Sequence, residues 1–185
     1  RLAAAGIDSA DHDARILDRH AEATGYDLDG LVVARESRIP LQHLVGSTGF
    51  RYLELAVGPG VFIPRPETEV VVDAVLAAVQ DIERPCVVDL CAGSGTIGLS
   101  VVHENAAAEV DLVEVSEQAV EWMRHNLAAL DEPERQRVRV HHADLDTAPT
   151  DRDGLVDVVA SNPPYVALHE RDTKLRDCAC RQVAN

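Results

Sequence analysis

The apolar and polar positions along the chain change rhythm near its first third. From Ser9 to Thr24 the apolar positions Ala14, Leu17 and Ala21 share one helical face. Asp8 or Ser9 can cap that helix, and Gly25 stops it. A second helical stretch is predicted to run to about Arg35. Ile39-Pro40 then breaks the pattern, because the residue before a proline is pushed out of the helical region. Phe50 to Val57 carries strand-forming residues, and Gly58-Pro59-Gly60 is a turn signal ahead of the apolar Val61-Phe62-Ile63. A β-hairpin is expected there. Residues 1–40 thus read as a small helical domain, 41–64 as a hairpin linker, and 65–185 as a larger unit.

That larger unit alternates regularly. Pro66 suits the first turn of a helix whose apolar face is Val71, Val72, Val75, Leu76 and Val79. Cys86–Leu90, Val110–Val115, Val138–His142 and Leu155–Ala160 read as strands, with helices from about Thr96 and over Glu117–Leu130. Strands alternating with helices imply parallel pairing through right-handed crossovers, hence an α/β fold with a doubly wound sheet. Ligands of such sheets bind at the carboxyl ends of the strands.

Composition narrows the class. The chain has 185 residues, 46% hydrophobic and 26% charged, which excludes wholesale disorder. Aromatics are only 3%, so the core must be aliphatic. A formal net charge of −15 argues against a protein that grips nucleic acid stably by its own surface. No apolar run approaches the roughly 20 residues that span a bilayer, and the start, Arg1 to Gly6, lacks both a signal-peptide apolar region and a methionine. A trimmed start and no membrane partner are the expectations. Cys86, Cys91, Cys178 and Cys180 read as reduced thiols of a cytoplasmic protein. No second pair accompanies Cys178/Cys180 at zinc-ligand spacing, so no metal is expected.

The candidate chemistry lies at the predicted strand ends. Asp89-Leu90-Cys91-Ala92-Gly93-Ser94-Gly95-Thr96-Ile97-Gly98 places glycines between a strand and a helix, where a ligand can approach the backbone. By itself the spacing suits either NAD(P) or S-adenosylmethionine. Asp89 tilts the balance, because its carboxylate would repel a pyrophosphate and welcome an ammonium group. Glu114, ending the next strand, can accept ribose hydroxyls; Asp144 can accept from an adenine amino group, with Leu145 as an apolar wall.

The most specific run is Ser161-Asn162-Pro163-Pro164-Tyr165 after the last strand. Two prolines fix the backbone, so the Asn162 side-chain oxygen and the Pro163 carbonyl can both accept from one NH₂ group. Tyr165 can stack on the planar group that carries that nitrogen. Such a cradle suits an amide or exocyclic amine receiving a methyl group.

With these residues in place, the chain resembles the S-adenosylmethionine-dependent, Rossmann-like methyltransferases that carry the Asn-Pro-Pro-Tyr motif. Gly58 to Ile63, followed by Pro64-Arg65-Pro66-Glu67-Thr68-Glu69, and Gln42 to Gly46 with Phe50, resemble a narrower family, the protein-(glutamine-N5) methyltransferases of peptide chain release factors. The likeness covers roughly Leu41 to Tyr165. It implies cofactor contacts from Cys91, Ala92, Gly93, Ser94 and Gly95, from Glu114, Asp144 and Leu145, and also from Asp89 and Asn162. It implies contacts to the substrate amide from Asn162, Pro163, Pro164 and Tyr165. Phe62, Pro64, Arg65 and Thr68 would cover the cofactor's methionine end. The implied product of the cofactor is S-adenosylhomocysteine, and the implied partner is a release factor.

Two features depart from the family. Cys91 stands where glycine is more usual, a change expected to be sterically modest. Only Val166 to Asn185 follow the motif, where family members continue through three more strands, so C-terminal strands are expected to be missing. Competing functions are oxidoreduction with NAD(P), methylation of adenine-N6 or guanine-N2 in nucleic acid, and cofactor binding without turnover. The acidic balance and the Phe-Ile-Pro-Arg-Pro-Glu-Thr stretch favour a protein acceptor.

Overall fold

The computed structural model describes residues 1–145, 152 and 154–163. Three short helices open the chain: α1 (Ala10–Thr24), α2 (Leu28–Glu36) and α3 (Leu41–Val45). Gly25 ends α1 in the left-handed conformation, its N–H donating to the Ala21 carbonyl. Ser9 is the N-cap residue of α1 but makes no side-chain cap hydrogen bond, whereas Asp27 caps α2, its carboxylate accepting from the N–H groups of Asp29 and Gly30. The three helices bury Leu2, Ile7 and Leu17 against Leu31, Leu41, Leu44 and Val45. A partly buried ion pair, Arg35 Nε to Asp13 Oδ2 at 2.7 Å, ties α2 to α1.

The hairpin differs from the expectation. Its strands are β1 (Ser47–Phe50) and β2 (Leu53–Ala56), antiparallel, and it turns at Arg51-Tyr52. Gly58-Pro59-Gly60 is a loop beyond it, and Val61-Phe62-Ile63 forms no strand. The remaining elements are a 3-10 turn (Pro66–Thr68), α4 (Glu69–Val79), β3 (Cys86–Leu90), α5 (Thr96–Glu104), β4 (Glu109–Glu114), α6 (Glu117–Ala129), α7 (Glu132–Arg135), β5 (Val138–His142) and β6 (Val158–Ser161). Long-range contacts decide where the hairpin turns. Arg51 has φ +50°, and its guanidinium reaches both oxygens of Glu104 on α5 at 2.6 and 2.7 Å and Asp73 on α4 at 2.7 Å. Those charge-assisted bonds hold an unfavourable left-handed residue at the turn. The glycine-proline loop lies instead against α6, where Trp122 Nε1 donates to the Pro59 carbonyl at 3.1 Å. A Cβ on Gly58 would stand 2.3 Å from the Trp122 ring.

The main sheet is fully parallel, in the order β5-β4-β3-β6. The chain winds outward from β3 through β4 to β5 and then returns to the other side of β3, so strand order reverses beside β3. Helices α4, α5 and α6 pack on this sheet around an aliphatic core that includes Val72, Val87, Leu99, Val102 and Leu112. Residues Thr96 to Val102 of α5 are all buried, and Gly98 makes the close approach possible. Asp111 of β4 is buried with a bidentate Arg139 (2.7 and 3.1 Å) and His141 at 2.6 Å. Burial alone would raise that carboxyl's pKa; the cationic and hydrogen-bonding partners hold it below the usual range instead. No helix among the described residues is long and apolar enough to cross a membrane.

The helix–sheet contact at Gly98 yields a direct test. A Cβ there would fall 2.2 Å from Leu112 Cδ2 and 2.8 Å from Val110 Cγ1. Gly98→Ala should therefore lower the urea unfolding midpoint, costing about 1–3 kcal/mol by overpacking. An unchanged midpoint would mean that α5 can lift off β4 without loss.

Candidate active site

The reversal of strand order places the ends of β3 and β6 side by side, and an open cleft forms there with the end of β4. Its floor is the turn after β3. Cys91, Gly93 and Gly95 all have positive φ (+56°, +57° and +85°), so the chain coils tightly between strand and helix. The Ala92 N–H donates to the Val113 carbonyl and the Gly95 N–H to the Ala92 carbonyl, which closes the coil. Cys91 is consequently less neutral a replacement for glycine than expected, since its Cβ occupies left-handed backbone. Burial, and then the nearby Glu114 carboxylate, push its thiol up.

Glu114, 8% exposed, forms the wall at the end of β4. One carboxylate oxygen accepts from Gly93 N at 2.9 Å; the other accepts from Val115 N and Ser116 N, both at 2.9 Å. One side chain therefore joins the glycine turn, the end of β4 and the start of α6. Ser116 caps α6, its hydroxyl accepting from Ala119 N. Gly60, Val61, Phe62, Pro64 and Thr68 also line the cleft, as do Asn162 and Pro163 at the end of β6. Asn162 Nδ2 donates to Thr68 Oγ1 at 3.3 Å. Phe62 is 51% exposed at the rim, with the Arg65 guanidinium over its ring at 5.6 Å.

The structure brings together most of the residues singled out in the sequence. Phe62, Pro64, Thr68, Cys91, Ala92, Gly93, Ser94, Glu114, Asn162 and Pro163 all line this one cleft. Gly95 shapes the turn from behind. Arg65, Asp144 and Leu145 stand outside the lining, and Asp144 and Leu145 are exposed beyond the end of β5. Pro164, Tyr165, Cys178 and Cys180 lie outside the described residues.

Asp89 also departs from its expected place. It is fully buried beneath the glycine turn and is not part of the cleft wall. Its Oδ2 accepts from Gly98 N at 3.0 Å, and its Oδ1 has no hydrogen-bond partner among the described residues. Burial, offset in part by the Gly98 N–H, pushes its pKa up to about 7. The carboxyl thus holds the start of α5 to β3 and does not present a charge to the cleft.

Asn126 on α6 is a contributor the sequence reading missed. Its Oδ1 accepts from Ala56 N at 2.7 Å, and its Nδ2 donates to the carbonyls of Ala56 and Ser94 at 3.1 and 3.0 Å. It couples the hairpin to the glycine turn. The available signal was a polar residue recurring on the buried face of α6 after Val120 and Met123.

Residues 53–182 match the family model described as methyltransferase small domain. The chain is 51% identical over 142 residues to the release factor glutamine methyltransferase of Streptomyces coelicolor, spanning 76% of this chain and 48% of that protein. It is 41% identical over 195 residues to the same-named protein of Bifidobacterium longum, spanning 90% of this chain and 66% of that one. The chain therefore spans about half to two-thirds of the length of these relatives. Among solved structures, an S-adenosylmethionine-dependent methyltransferase from Agrobacterium tumefaciens superposes with a TM-score of 0.50 at 23% identity, over 64% of this chain and 39% of that one. That likeness extends to the fold.

The buried Asp89 carboxyl makes stability depend on pH. The folded state holds its proton up to about pH 7, whereas an unfolded aspartate releases it near the ordinary value of 3.8. Its contribution is therefore full below about pH 4 and is lost as pH rises to about 7. Asp89→Asn should flatten this part of the pH profile in denaturant unfolding. Relative to the parent, the variant should gain up to ~3–4 kcal/mol between pH 4 and pH 8. Parallel profiles for the two proteins would refute the assignment.

Proposed function

Because the chain belongs to the methyltransferase small-domain family, we propose that it transfers a methyl group from S-adenosylmethionine to a glutamine side-chain amide of a peptide chain release factor. One observation carries this reading. The glycine turn, Glu114, Asn162 and Pro163 all line the same cleft, which supports reading a cofactor and an NH₂ group as bound in one space. The names of the two relatives support the choice of acceptor, and a substrate from the translation machinery suits a cytoplasmic enzyme.

The cleft residues fit the cofactor chemically. Glu114 keeps lone-pair capacity beyond its three backbone donors and suits a ribose hydroxyl. Val61, Phe62, Ile97 and Val115 give the cleft apolar walls, which suit adenine and a methyl-bearing sulfur. S-adenosylmethionine, when bound, supplies a methyl group on a positively charged sulfur, and transfer breaks that S–C bond with its electron pair left on sulfur.

The protein's task is to prepare a poor nucleophile. An amide nitrogen has a delocalised lone pair and attacks weakly. The Asn162 oxygen and the Pro163 carbonyl each accept from its NH₂ group and aim the nitrogen. As the N–C bond forms, positive charge grows on that nitrogen, and the same two acceptors stabilise it. One N–H proton then leaves to water, giving the neutral N-methyl amide. Tyr165, next in the motif after Pro164, would stack on the planar amide.

The deciding experiment offers methyl-labelled S-adenosylmethionine to the protein with a release factor and bulk nucleic acid as competing acceptors. Label should enter a glutamine of the release factor; label in nucleic acid, or none, would overturn the reading. Glu114→Ala should weaken S-adenosylhomocysteine binding by roughly 1.5–3 kcal/mol in calorimetric titration. Asn162→Ala should chiefly lower the single-turnover rate, by about 10²–10³-fold. A defect of Asn162→Ala confined to cofactor affinity would move that residue to the other half of the cleft.

A further inference from the structure

A protein substrate offers the cleft one glutamine side chain, and that group is the same in every protein. Contacts to it alone do not tell one substrate from another, so discrimination has to come from a surface outside the cleft. The hairpin carries such a surface.

The Val57 N–H donates to the Gly46 carbonyl at 3.0 Å. Ladder bonds in the β1–β2 pair alternate from that crossing, so Thr48 and Phe50 exchange them with Leu55 and Leu53. Ser47 and Gly49, in between, turn their N–H and C=O groups away from β2. Ala56, opposite Ser47, turns its groups to the far edge, where Asn126 takes both. The edge of β1 has no such cover. Among the described residues, neither Ser47 nor Gly49 has a backbone hydrogen bond to anything beyond the hairpin.

A groove of about 520 Å³ is lined by Ser47 and Gly49 together with His12, Ile16, Arg19 and His20, which share one face of α1. Two of these side chains lack partners among the described residues. His20 Nε2 is buried without a hydrogen bond. Arg19 is exposed and has no carboxylate at ion-pair distance, whereas Arg1, Arg35 and Arg51 each hold at least one. In a chain of net charge −15, an uncompensated arginine beside a groove selects an acidic ligand group. Main-chain donors and acceptors free at positions i and i+2 are what an extended peptide needs to add a strand. Gly49 leaves room for it, since a Cβ there would meet nothing closer than 3.8 Å.

We propose that the edge of β1 takes up an extended, acid-bearing segment of the release factor as an added strand. The main-chain groups of Ser47 and Gly49 bond the segment, and its acidic side chain pairs with Arg19. This rests on the reading of the protein as a release-factor methyltransferase and locates where that partner is held.

Three variants and one measurement on the parent test it. Gly49→Pro deletes the outward N–H and spares the ladder to β2, the placement in which strands tolerate proline. Gly49→Ala keeps the N–H and has space for its methyl group. Arg19→Glu reverses the charge. In steady-state methylation of intact release factor, Gly49→Pro should lower kcat/KM about tenfold or more through KM, with kcat within about twofold, because the lost contacts lie away from the reacting atoms. S-adenosylhomocysteine affinity should stay within about threefold in every variant, and Gly49→Ala should keep kcat/KM within about threefold. Arg19→Glu should raise KM roughly tenfold, the difference from the parent shrinking at high salt. In the parent, release factor added with S-adenosylhomocysteine should slow amide hydrogen exchange at Ser47 and Gly49 by about tenfold or more.

Unchanged exchange at Ser47 and Gly49 in the complex would overturn the proposal, whatever the variants do. So would a parent-like KM in Gly49→Pro, or an alanine variant as impaired as the proline one. Exchange that slows with rising protein concentration in the absence of release factor would give the edge to a second copy of this chain, and would overturn it as well. A parent protein inert toward the release factor would overturn the reading of the cleft, and this proposal with it. A parent that methylates the factor while its β1 edge stays exposed would overturn this proposal alone.

Discussion

Three backbone N–H groups converge on the carboxylate of Glu114. Gly93 comes from the turn after β3, while Val115 and Ser116 lead from β4 into α6. Charge-assisted bonds of this kind are stronger than neutral ones. Without them, the donors would be left wanting partners at the point where the turn coils through three left-handed residues. The cleft floor and its wall are consequently one unit. A ligand at this carboxylate would meet a site whose shape is set before binding, which lowers the ordering cost of association.

The hairpin and its loop are fastened to that unit at two distant points. Arg51 at the hairpin tip clamps α4 and α5, and Asn126 on α6 bonds both the last residue of β2 and the Ser94 carbonyl. Beyond these anchors the chain runs past Trp122 and delivers Gly60, Val61, Phe62 and Pro64 to the cleft. The N-terminal segment thus supplies part of the site wall as well as a helical cluster of its own. Mutations far from the cleft on α6 can alter it through this path.

Much of this was legible in the sequence. The alternation of apolar strands with amphipathic helices made β3, β4, β5, α5 and α6 legible to within a residue or two, since the period of apolar positions that marks each is local. The glycine turn, Glu114 and Asn162-Pro163 were legible because strand-end chemistry is written in short contiguous runs. The hairpin was placed too late along the chain. Gly58-Pro59-Gly60 is a strong local turn signal, yet the turn forms at Arg51-Tyr52, where local preference is unfavourable and Glu104 and Asp73 outweigh it.

What the sequence determined by itself was the set of elements, the parallel α/β class and the chemical groups available at the strand ends. Tertiary structure alone decided which way those groups face. Asp89 reads as a cleft carboxylate in the chain, but alternation along β3 and the close approach of Gly98 turn it under α5, where it is buried and pushed towards neutrality. Asn126 reads as an ordinary helical asparagine until β2 and the Ser94 carbonyl are brought to it from 70 and 32 residues away. Thr68 and Asn162 stand 94 residues apart and meet only because strand order reverses beside β3. Hydrogen bonds are directional and short, so partners distant in sequence are specified only when the fold has set their positions.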